Sequence, residues 1–266
     1  MNSDTQTVEQ DLLVQADGPV LRITFNRPQA RNAMKLTMYE QLAQTLGALH
    51  EQPQIRVVVL RGAGDKAFAS GTDISEFKRF SSAQHAIDYE HTISRILGVI
   101  ENCPVPTIAA IAGACTGGGM GIAACCDLRI AAGNVRFGMP MARTLGNCLS
   151  ATTHARLAAL IGPGRVKDLL LTARLVEADE ALRWGLVSEV LADEAALQAR
   201  ADELAATIAG HAPLTMRVTK ETLAALAPPV PAELEEQLLL KAYLSQDFAE
   251  GVAAFLEKRE PRWSGK

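Results

Sequence analysis

Runs of apolar residues separated by short polar breaks predict alternating strands and helices in the first part of the chain. Leu12–Gln15 and Val20–Phe25 flank Asp17-Gly18, a pair typical of tight turns, and so predict a β-hairpin. Ile55–Leu60 is rich in β-branched residues and Pro106–Ala112 is apolar throughout, as buried strands often are. Further strands are predicted at 67–74 (with a turn), 127–131, 135–138 and 187–191, and helices at 37–51, 86–101, 148–160, 165–171 and 178–184.

Beyond Asp193 the strand signals end and helical patterns continue to the C-terminus. Helices are predicted at 194–209, 214–226, 232–245 and 247–257, with prolines at 213, 228 and 229 between them. We therefore expect an α/β core over residues 10–193 and a helical C-terminal region over 194–266. The helical region either forms a unit of its own or packs on a neighbouring subunit.

Composition narrows the classes of protein to which the chain can belong. Of 266 residues, 48% are hydrophobic and 21% charged, which is typical of a globular protein with a core. The net charge of −4 offers no basic field for nucleic acid or an anionic membrane, and no apolar run reaches membrane-spanning length. The five cysteines are odd in number and include no CxxC pair, which favours reduced thiols and no metal. With no signal-peptide pattern at the N-terminus, we expect a cytoplasmic protein.

The segment Ala109–Ala132 carries the strongest local signal for chemistry. Three consecutive glycines, Gly117 to Gly119, follow the predicted buried strand and precede a short helical run of small residues. Glycines at such a junction let the backbone approach a ligand closely and direct amide N–H groups at an anion. The alternative is a close crossing of helix and strand that leaves no room for side chains.

Three further motifs accompany the glycines: NRPQARNA at 26–33, SGTDI at 70–74 and FLEKREP at 255–261. In this order they resemble the crotonase (enoyl-CoA hydratase/isomerase) superfamily, and the resemblance covers roughly Leu13 to Trp263. It implies a crotonase-like spiral of ββα units, a C-terminal helical trimerisation region, and a homotrimer or dimer of trimers. It also implies an acyl-CoA thioester as substrate, with coenzyme A as part of the substrate and no separate cofactor.

The resemblance also implies roles for particular residues. The backbone N–H groups of Thr72 and Gly118 would form an oxyanion hole for the thioester oxygen. Asp73, which directly follows Thr72, is predicted to cap the turn that comes next. The residues implied to hold coenzyme A are Ala30, Arg31, Ala33, Ser70, Ile74 and Lys258.

Two positions depart from the family pattern. A hydratase of this family uses two glutamates, one to activate water and one to deliver the proton. Gly121 and Met141 occupy those two positions here, and neither side chain transfers protons. The sequence therefore predicts an enzyme of the hydratase/isomerase family, a lyase or isomerase, whose acid or base lies elsewhere.

Two other groups offer the missing chemistry. Cys148 is predicted at a helix N-terminus, where a thiol acquires a lowered pKa and attacks thioesters, although most free cysteines are simply small buried residues. His85, Asp88, Glu90 and His91 belong to a loop and helix that border the acyl pocket in the family, although such residues are more often a solvated helix face. The alternatives are therefore a CoA-thioester hydrolase or other crotonase chemistry using Cys148, and a non-catalytic acyl-CoA binder.

Overall fold

We describe residues 10–79, 82–226 and 231–265 of a computed structural model of the chain, without the side chains at positions 79 and 232. A six-stranded sheet holds the predicted N-terminal hairpin at one edge, in the order β1-β2-β3-β5-β7-β10. Only β1 runs antiparallel to its neighbour. Its strands are β1 (Leu12–Asp17), β2 (Val20–Phe25), β3 (Val57–Gly62), β5 (Thr107–Ile111), β7 (Leu128–Ala132) and β10 (Glu189–Leu191).

A second sheet has four short strands in the order β4-β6-β8-β9. These are β4 (Ala67–Ala69), β6 (Ala114–Thr116), β8 (Arg136–Gly138) and β9 (Leu175–Glu177), and only β9 is antiparallel. Three consecutive strand pairs, β3/β4, β5/β6 and β7/β8, each contribute one strand to each sheet. Because β4 and β6 are parallel neighbours, the loops that follow them leave the same edge and meet there.

Eleven α-helices connect or cover these strands in the described part of the chain. They are α1 (Leu36–Gly47), α2 (Ala83–Glu101), α3 (Gly118–Cys125), α4 (Met141–Thr144), α5 (Ala151–Ile161), α6 (Pro163–Thr172), α7 (Ala178–Trp184), α8 (Glu194–Ala209), α9 (Pro213–Ala225), α10 (Ala232–Tyr243) and α11 (Gln246–Glu257). Short 3-10 turns occupy Pro28–Ala30, Ala48–Glu51 and Ile74–Arg79. None of the described helices is long and apolar enough to cross a lipid bilayer.

The central strands β3 and β5 of the larger sheet are buried on both faces, which explains their apolar runs. In β3, Val58 and Leu60 belong to the main core, whereas Val57 and Val59 belong to a second cluster on the opposite face. Helix α8 covers that second face with buried residues at helical spacing, among them Leu197 and Ala201. Burial of a side chain such as Leu197 contributes about 2 kcal/mol to stability.

The last two helices fold back over the core. Helix α10 packs on α2 and α5, and α11 packs on α4 and the 3-10 turn Ile74–Arg79. Together with α8, these helices show that the C-terminal region contacts its own core extensively. The predicted boundary near residue 193 and the predicted trimer stay predictions.

Helix α5 begins at Ala151, so the prediction of a helix starting at Cys148 was wrong. Ser150 is its N-cap, and the Ser150 hydroxyl accepts a hydrogen bond from the Thr153 N–H at 3.2 Å. The short elements α4 and β9 were not predicted, because three or four residues carry too little periodicity to be recognised.

Candidate active site

Three loops meet at one edge of the smaller sheet: the 30–34 loop, the 70–74 loop after β4 and the 116–118 loop after β6. The Ser70 N–H donates to the Arg31 carbonyl at 3.1 Å, and the Met34 N–H donates to the Gly71 carbonyl at 2.8 Å. The Thr116 hydroxyl donates to the Ser70 carbonyl at 3.0 Å. These bonds tie the three sequence motifs into one unit.

Asn32 holds the first of these loops in place. Its side chain is fully buried and its backbone is left-handed, with φ of 54°, a conformation that asparagine tolerates better than most residues. The Asn32 Oδ1 accepts from the Arg27 N–H at 3.0 Å, and its Nδ2 donates to the Ala67 carbonyl at 2.7 Å. The loop is therefore anchored directly to the start of β4.

Asp73 caps the turn that follows the second loop. Its Oδ1 accepts from the Ser75 N–H at 3.1 Å and from the Ser75 hydroxyl at 2.7 Å, and its Oδ2 accepts from the Arg27 guanidinium at 3.0 Å. Burial opposes ionisation of this carboxyl, but the Ser75 and Arg27 contacts hold the pKa of Asp73 below its ordinary value. Asp73 is thus a structural carboxylate, as its position in the sequence predicts.

The two predicted oxyanion donors lie on adjacent loops. Thr72 forms a parallel bridge with Met34 through the Gly71 carbonyl and the Asp73 N–H. Successive amides of an extended strand point in opposite directions, so the Thr72 N–H points away from Met34. Gly118 is the first residue of α3, where an N–H has no partner within the helix. Both residues line the same cavity.

Glycines allow this close approach of the two loops. Gly71 and Gly117 have φ of 113° and 52°, in the region that side chains disfavour. A Cβ on Gly117 would lie 3.5 Å from the Gly71 Cα. A Cβ on Gly118 would overlap the Tyr39 hydroxyl. The glycine run is therefore required by backbone conformation and by packing at the site.

Three hydroxyl groups form a chain beside the donors. The Thr72 hydroxyl lies 3.2 Å from the Tyr39 hydroxyl and 2.9 Å from the Tyr89 hydroxyl. Burial raises the pKa of Tyr39 to about 12, so its hydroxyl stays protonated at neutral pH. These hydrogen-bonded hydroxyls link α1 and α2 to the 70–74 loop and fix the Thr72 side chain.

The cavity has a volume of about 380 Å³ and is lined mainly by apolar side chains. It includes Gly121 and Met141, the two positions without the expected glutamates. Four of the residues implied to hold coenzyme A line it as well: Ala30, Ala33, Ser70 and Ile74. Arg31 and Lys258 are exposed and do not line it, so their contact with coenzyme A stays a prediction.

Glu90 is one of the four residues on the predicted loop and helix that the sequence offers for the missing chemistry. It lies in α2 with 6% of its surface exposed and lines the cavity, whereas His85, Asp88 and His91 are exposed. Its Oε1 accepts from the Tyr243 hydroxyl of α10, and that hydroxyl accepts from the Asn147 Nδ2 at 3.2 Å. Burial raises the pKa of Glu90 to about 7, a bond from Tyr243 opposes this, and Glu235 adds to it.

The sequence contains a signal that distinguishes Glu90 from its exposed neighbours. Ala86, Glu90, Ile93 and Leu97 follow each other at steps of three and four, and the face that they share packs on the core and cavity. A carboxylate within such an apolar stripe is expensive to bury and is therefore notable. Of the two alternatives, the solvated helix face describes His85, Asp88 and His91, whereas Glu90 borders the pocket.

Cys148 lines the cavity but lacks the environment predicted for a reactive thiol. It precedes the Ser150 cap of α5, and its Sγ lies 3.8 Å from the Leu238 carbonyl. Burial raises the pKa of the Cys148 thiol to about 12, and the nearby Glu90 acts in the same direction. The expected lowering of the pKa by a helix N-terminus was wrong.

Comparisons with known proteins identify the family of the chain. The family model described as Enoyl-CoA hydratase/isomerase matches residues 15–266. The chain belongs to the enoyl-CoA hydratase/isomerase family. Among the relatives of this family, the crotonyl-CoA hydratase of Syntrophomonas wolfei is 32% identical over 263 residues, covering 97% of this chain and 99% of that protein. The predicted superfamily and the enzymatic character of the family are thereby confirmed.

Solved structures that resemble this chain support the same fold. A methylmalonyl-CoA decarboxylase in complex with 2-nitronate-propionyl-CoA superposes with a TM-score of 0.87 at 31% identity, covering 97% of this chain and 99% of that chain. An enoyl-CoA hydratase/carnithine racemase from Magnetospirillum magneticum superposes with a TM-score of 0.78 at 37% identity, covering 97% and 96%. The predicted crotonase-like α/β fold with a helical C-terminal region is confirmed, apart from trimerisation.

Proposed function

We propose that this protein is an acyl-CoA enzyme that stabilises a thioester enolate with the backbone N–H groups of Thr72 and Gly118. The observation that carries this proposal is the placement of both residues on adjacent loops of one cavity, with their N–H groups outside the bonds that tie the loops together. Similarity to proteins named crotonyl-CoA hydratase and short-chain-enoyl-CoA hydratase supports a CoA thioester as the substrate class.

The physical basis is the location of charge in the reaction. Removing a proton from the carbon next to a thioester places negative charge on the thioester oxygen. Two fixed N–H donors in a site with little water each contribute about 3 kcal/mol to stabilising such a charge. Gly118 also begins α3, whose dipole favours an anion at that end.

Gly121 and Met141 restrict the reaction. Water addition by the usual mechanism needs one carboxyl to activate water and another to protonate carbon. Neither residue can do this, so we propose proton transfer on the acyl chain in preference to hydration.

A second candidate is the loss of carbon dioxide from a malonyl-type acyl-CoA. Breaking that carbon–carbon bond produces the enolate directly, so no base is needed to form it. This agrees with Gly121 and Met141, whose side chains cannot act as bases. The similarity to a methylmalonyl-CoA decarboxylase also favours this candidate.

An enolate mimic tests the proposal against a simple binder. We expect 2-nitronate-propionyl-CoA, in which the anionic nitronate resembles an enolate, to bind at least about 100-fold more tightly than propionyl-CoA in calorimetric titrations. Free coenzyme A is the control for the nucleotide contribution. Equal affinity for the two thioesters would contradict the enolate site and favour a non-catalytic acyl-CoA binder.

We also propose self-association, in line with the trimer implied by the resemblance. Helix α9 has no buried residue, and Leu214, Val218 and Leu223 on it are at least 50% exposed. Light scattering at several protein concentrations tests this, and a monomer at all concentrations would contradict it.

A further inference from the structure

We infer that Glu90 is the catalytic carboxyl of this site and that its substrate class is a 3-enoyl-CoA, which it isomerises to the 2-enoyl-CoA. The inference rests on the proposed enolate site and adds to it the group that moves the proton. It places the base on α2, away from both positions at which the sequence lacks a glutamate.

The first argument is one of elimination among carboxyls. The described residues that line the cavity include two carboxyl groups, Asp73 and Glu90. Asp73 already accepts three hydrogen bonds from Ser75 and Arg27 and caps a turn. Among the described residues, Glu90 accepts one hydrogen bond, at Oε1 from the Tyr243 hydroxyl. Glu90 is therefore the carboxyl with an oxygen available to a substrate.

The second argument is the direction of the hydrogen bonds behind Glu90. The Asn147 amide Nδ2 can only donate, so the Tyr243 hydroxyl accepts from it and directs its own proton at the Glu90 Oε1. This arrangement holds the carboxyl in one orientation. It also stabilises the carboxylate after it has released its proton.

The third argument is electrostatic. The groups that face Glu90 are Tyr243 and Glu235 of α10, Tyr39 of α1, Cys148 and the adjacent Tyr89. None of these groups is a cation, and no cation contributes to the raised pKa of Glu90 among the described residues. A carboxyl that titrates near pH 7 accepts a proton and returns it with equal ease at neutral pH.

One carboxyl suffices for an isomerisation. The C2–H bond of the 3-enoyl-CoA breaks, the proton passes to Glu90, and the electron pair moves onto the thioester oxygen as a dienolate. Glu90 then returns the proton to C4 as the double bond moves from C3=C4 to C2=C3. No water and no redox partner is consumed, so the absence of carboxyls at Gly121 and Met141 does not impede the reaction.

The experiment measures conversion of 3-butenoyl-CoA to crotonyl-CoA, with deuterium incorporation from heavy water followed by mass spectrometry. We compare the wild type, Glu90→Gln, Glu90→Asp, and Asp88→Asn as the matched control. Asp88 lies on the same helix and is exposed, so its replacement removes one negative charge outside the cavity. Affinity for propionyl-CoA is measured in every variant.

We expect Glu90→Gln to lower the rate of isomerisation and deuterium incorporation at least about 100-fold, with acyl-CoA affinity changed less than about threefold. Glu90→Asp should retain part of the activity, and Asp88→Asn should match the wild type. Wild-type activity that persists in Glu90→Gln would overturn the assignment of Glu90. A wild type that incorporates deuterium into butyryl-CoA but does not isomerise 3-butenoyl-CoA would overturn the substrate class.

These outcomes separate this inference from the proposed function. If the wild type binds the nitronate probe tightly but moves no proton on either thioester, the enolate site stands and the role of Glu90 is overturned. If the nitronate probe gains no affinity over propionyl-CoA, the proposed function itself fails.

Discussion

The Tyr39 hydroxyl occupies the space that a Cβ on Gly118 would need. Gly118→Ala should therefore displace Tyr39 or move the Gly118 N–H, and we expect it to lower turnover at least about 100-fold. Removing the hydroxyl relieves the overlap, and the contacts that remain, at 3.2 Å to the Thr72 Oγ1 and 3.3 Å to the Tyr39 Cζ, need a shift of only a few tenths of an ångström. The double variant Gly118→Ala/Tyr39→Phe should recover at least about tenfold over Gly118→Ala. Steady-state kinetics checks this, with Tyr39→Phe alone as control, and a double variant as slow as Gly118→Ala would contradict the steric explanation.

The bond between Tyr243 and Glu90 should govern the pH dependence of the reaction. Tyr243→Phe removes a donor to the carboxylate, so the pKa of Glu90 should rise above about 7. A base works in its deprotonated form, so the acidic limb of the pH–rate profile should move to higher pH by about one unit. The packing of residue 243 on Phe248, with ring centroids 4.8 Å apart, is retained in the variant. An acidic limb at the same pH as in the wild type would contradict control of the rate by protonation of Glu90.

Glu90 should also make the fold less stable at higher pH. Its pKa is raised from 4.5 to about 7 on folding, so between these values the folded state binds more protons than the unfolded state. Stability then falls as pH rises through this window, by roughly 3 kcal/mol in all. Glu90→Gln should remove this loss, and so should be more stable than the wild type at pH 8 and nearly equal to it at pH 4. Urea unfolding at several pH values tests this, and parallel curves for the two proteins would contradict it.

Cys148 should be dispensable. Burial raises its pKa to about 12, so only a very small fraction of the thiol is ionised at neutral pH. We expect Cys148→Ser to retain activity within about threefold and the wild type to form no acyl adduct. A loss of two orders of magnitude, together with a mass increase on Cys148 after incubation with acyl-CoA, would restore the nucleophilic alternative.

Gly121 should accept a glutamate. A Cβ there would lie 3.6 Å from the Leu97 Cδ1, an ordinary contact, and the position lines the cavity. Gly121→Glu should give measurable addition of water to crotonyl-CoA, at least about tenfold above the wild type, because it adds a second carboxyl. Gly121→Ala is the control for backbone effects and should be more stable than the wild type by about 0.5–1 kcal/mol. Equal hydration by both variants would contradict a role for the added carboxyl.

The sequence predicts the fold well where burial imposes a pattern. Residues 57–60 are apolar without interruption because both faces of β3 are covered, so the sequence predicts a buried strand there. The importance of the glycines at 117–119 could also be predicted, since their conformation and close packing exclude other residues. The cap by Asp73 followed from its position before a turn.

Other features depend on contacts between distant residues. The exact start of α5 depends on Ser150 as cap, and a polar residue in a loop carries little weight alone. The role of Asn32 depends on the Ala67 carbonyl, 35 residues away. The partner of Glu90 is Tyr243, 153 residues further along the chain, so the environment of this carboxyl could not be read from local sequence.

The amides of Thr72 and Gly118 belong to the main chain, and their meeting follows from the parallel pairing of β4 and β6. Substitutions other than proline leave a peptide N–H in place, so these two donors come with the backbone and its topology. Gly121, Met141 and Glu90 are side-chain choices on helices around it, and each can be exchanged without altering the strand order. Under the proposed function, the backbone provides the enolate site and the surrounding side chains select the reaction.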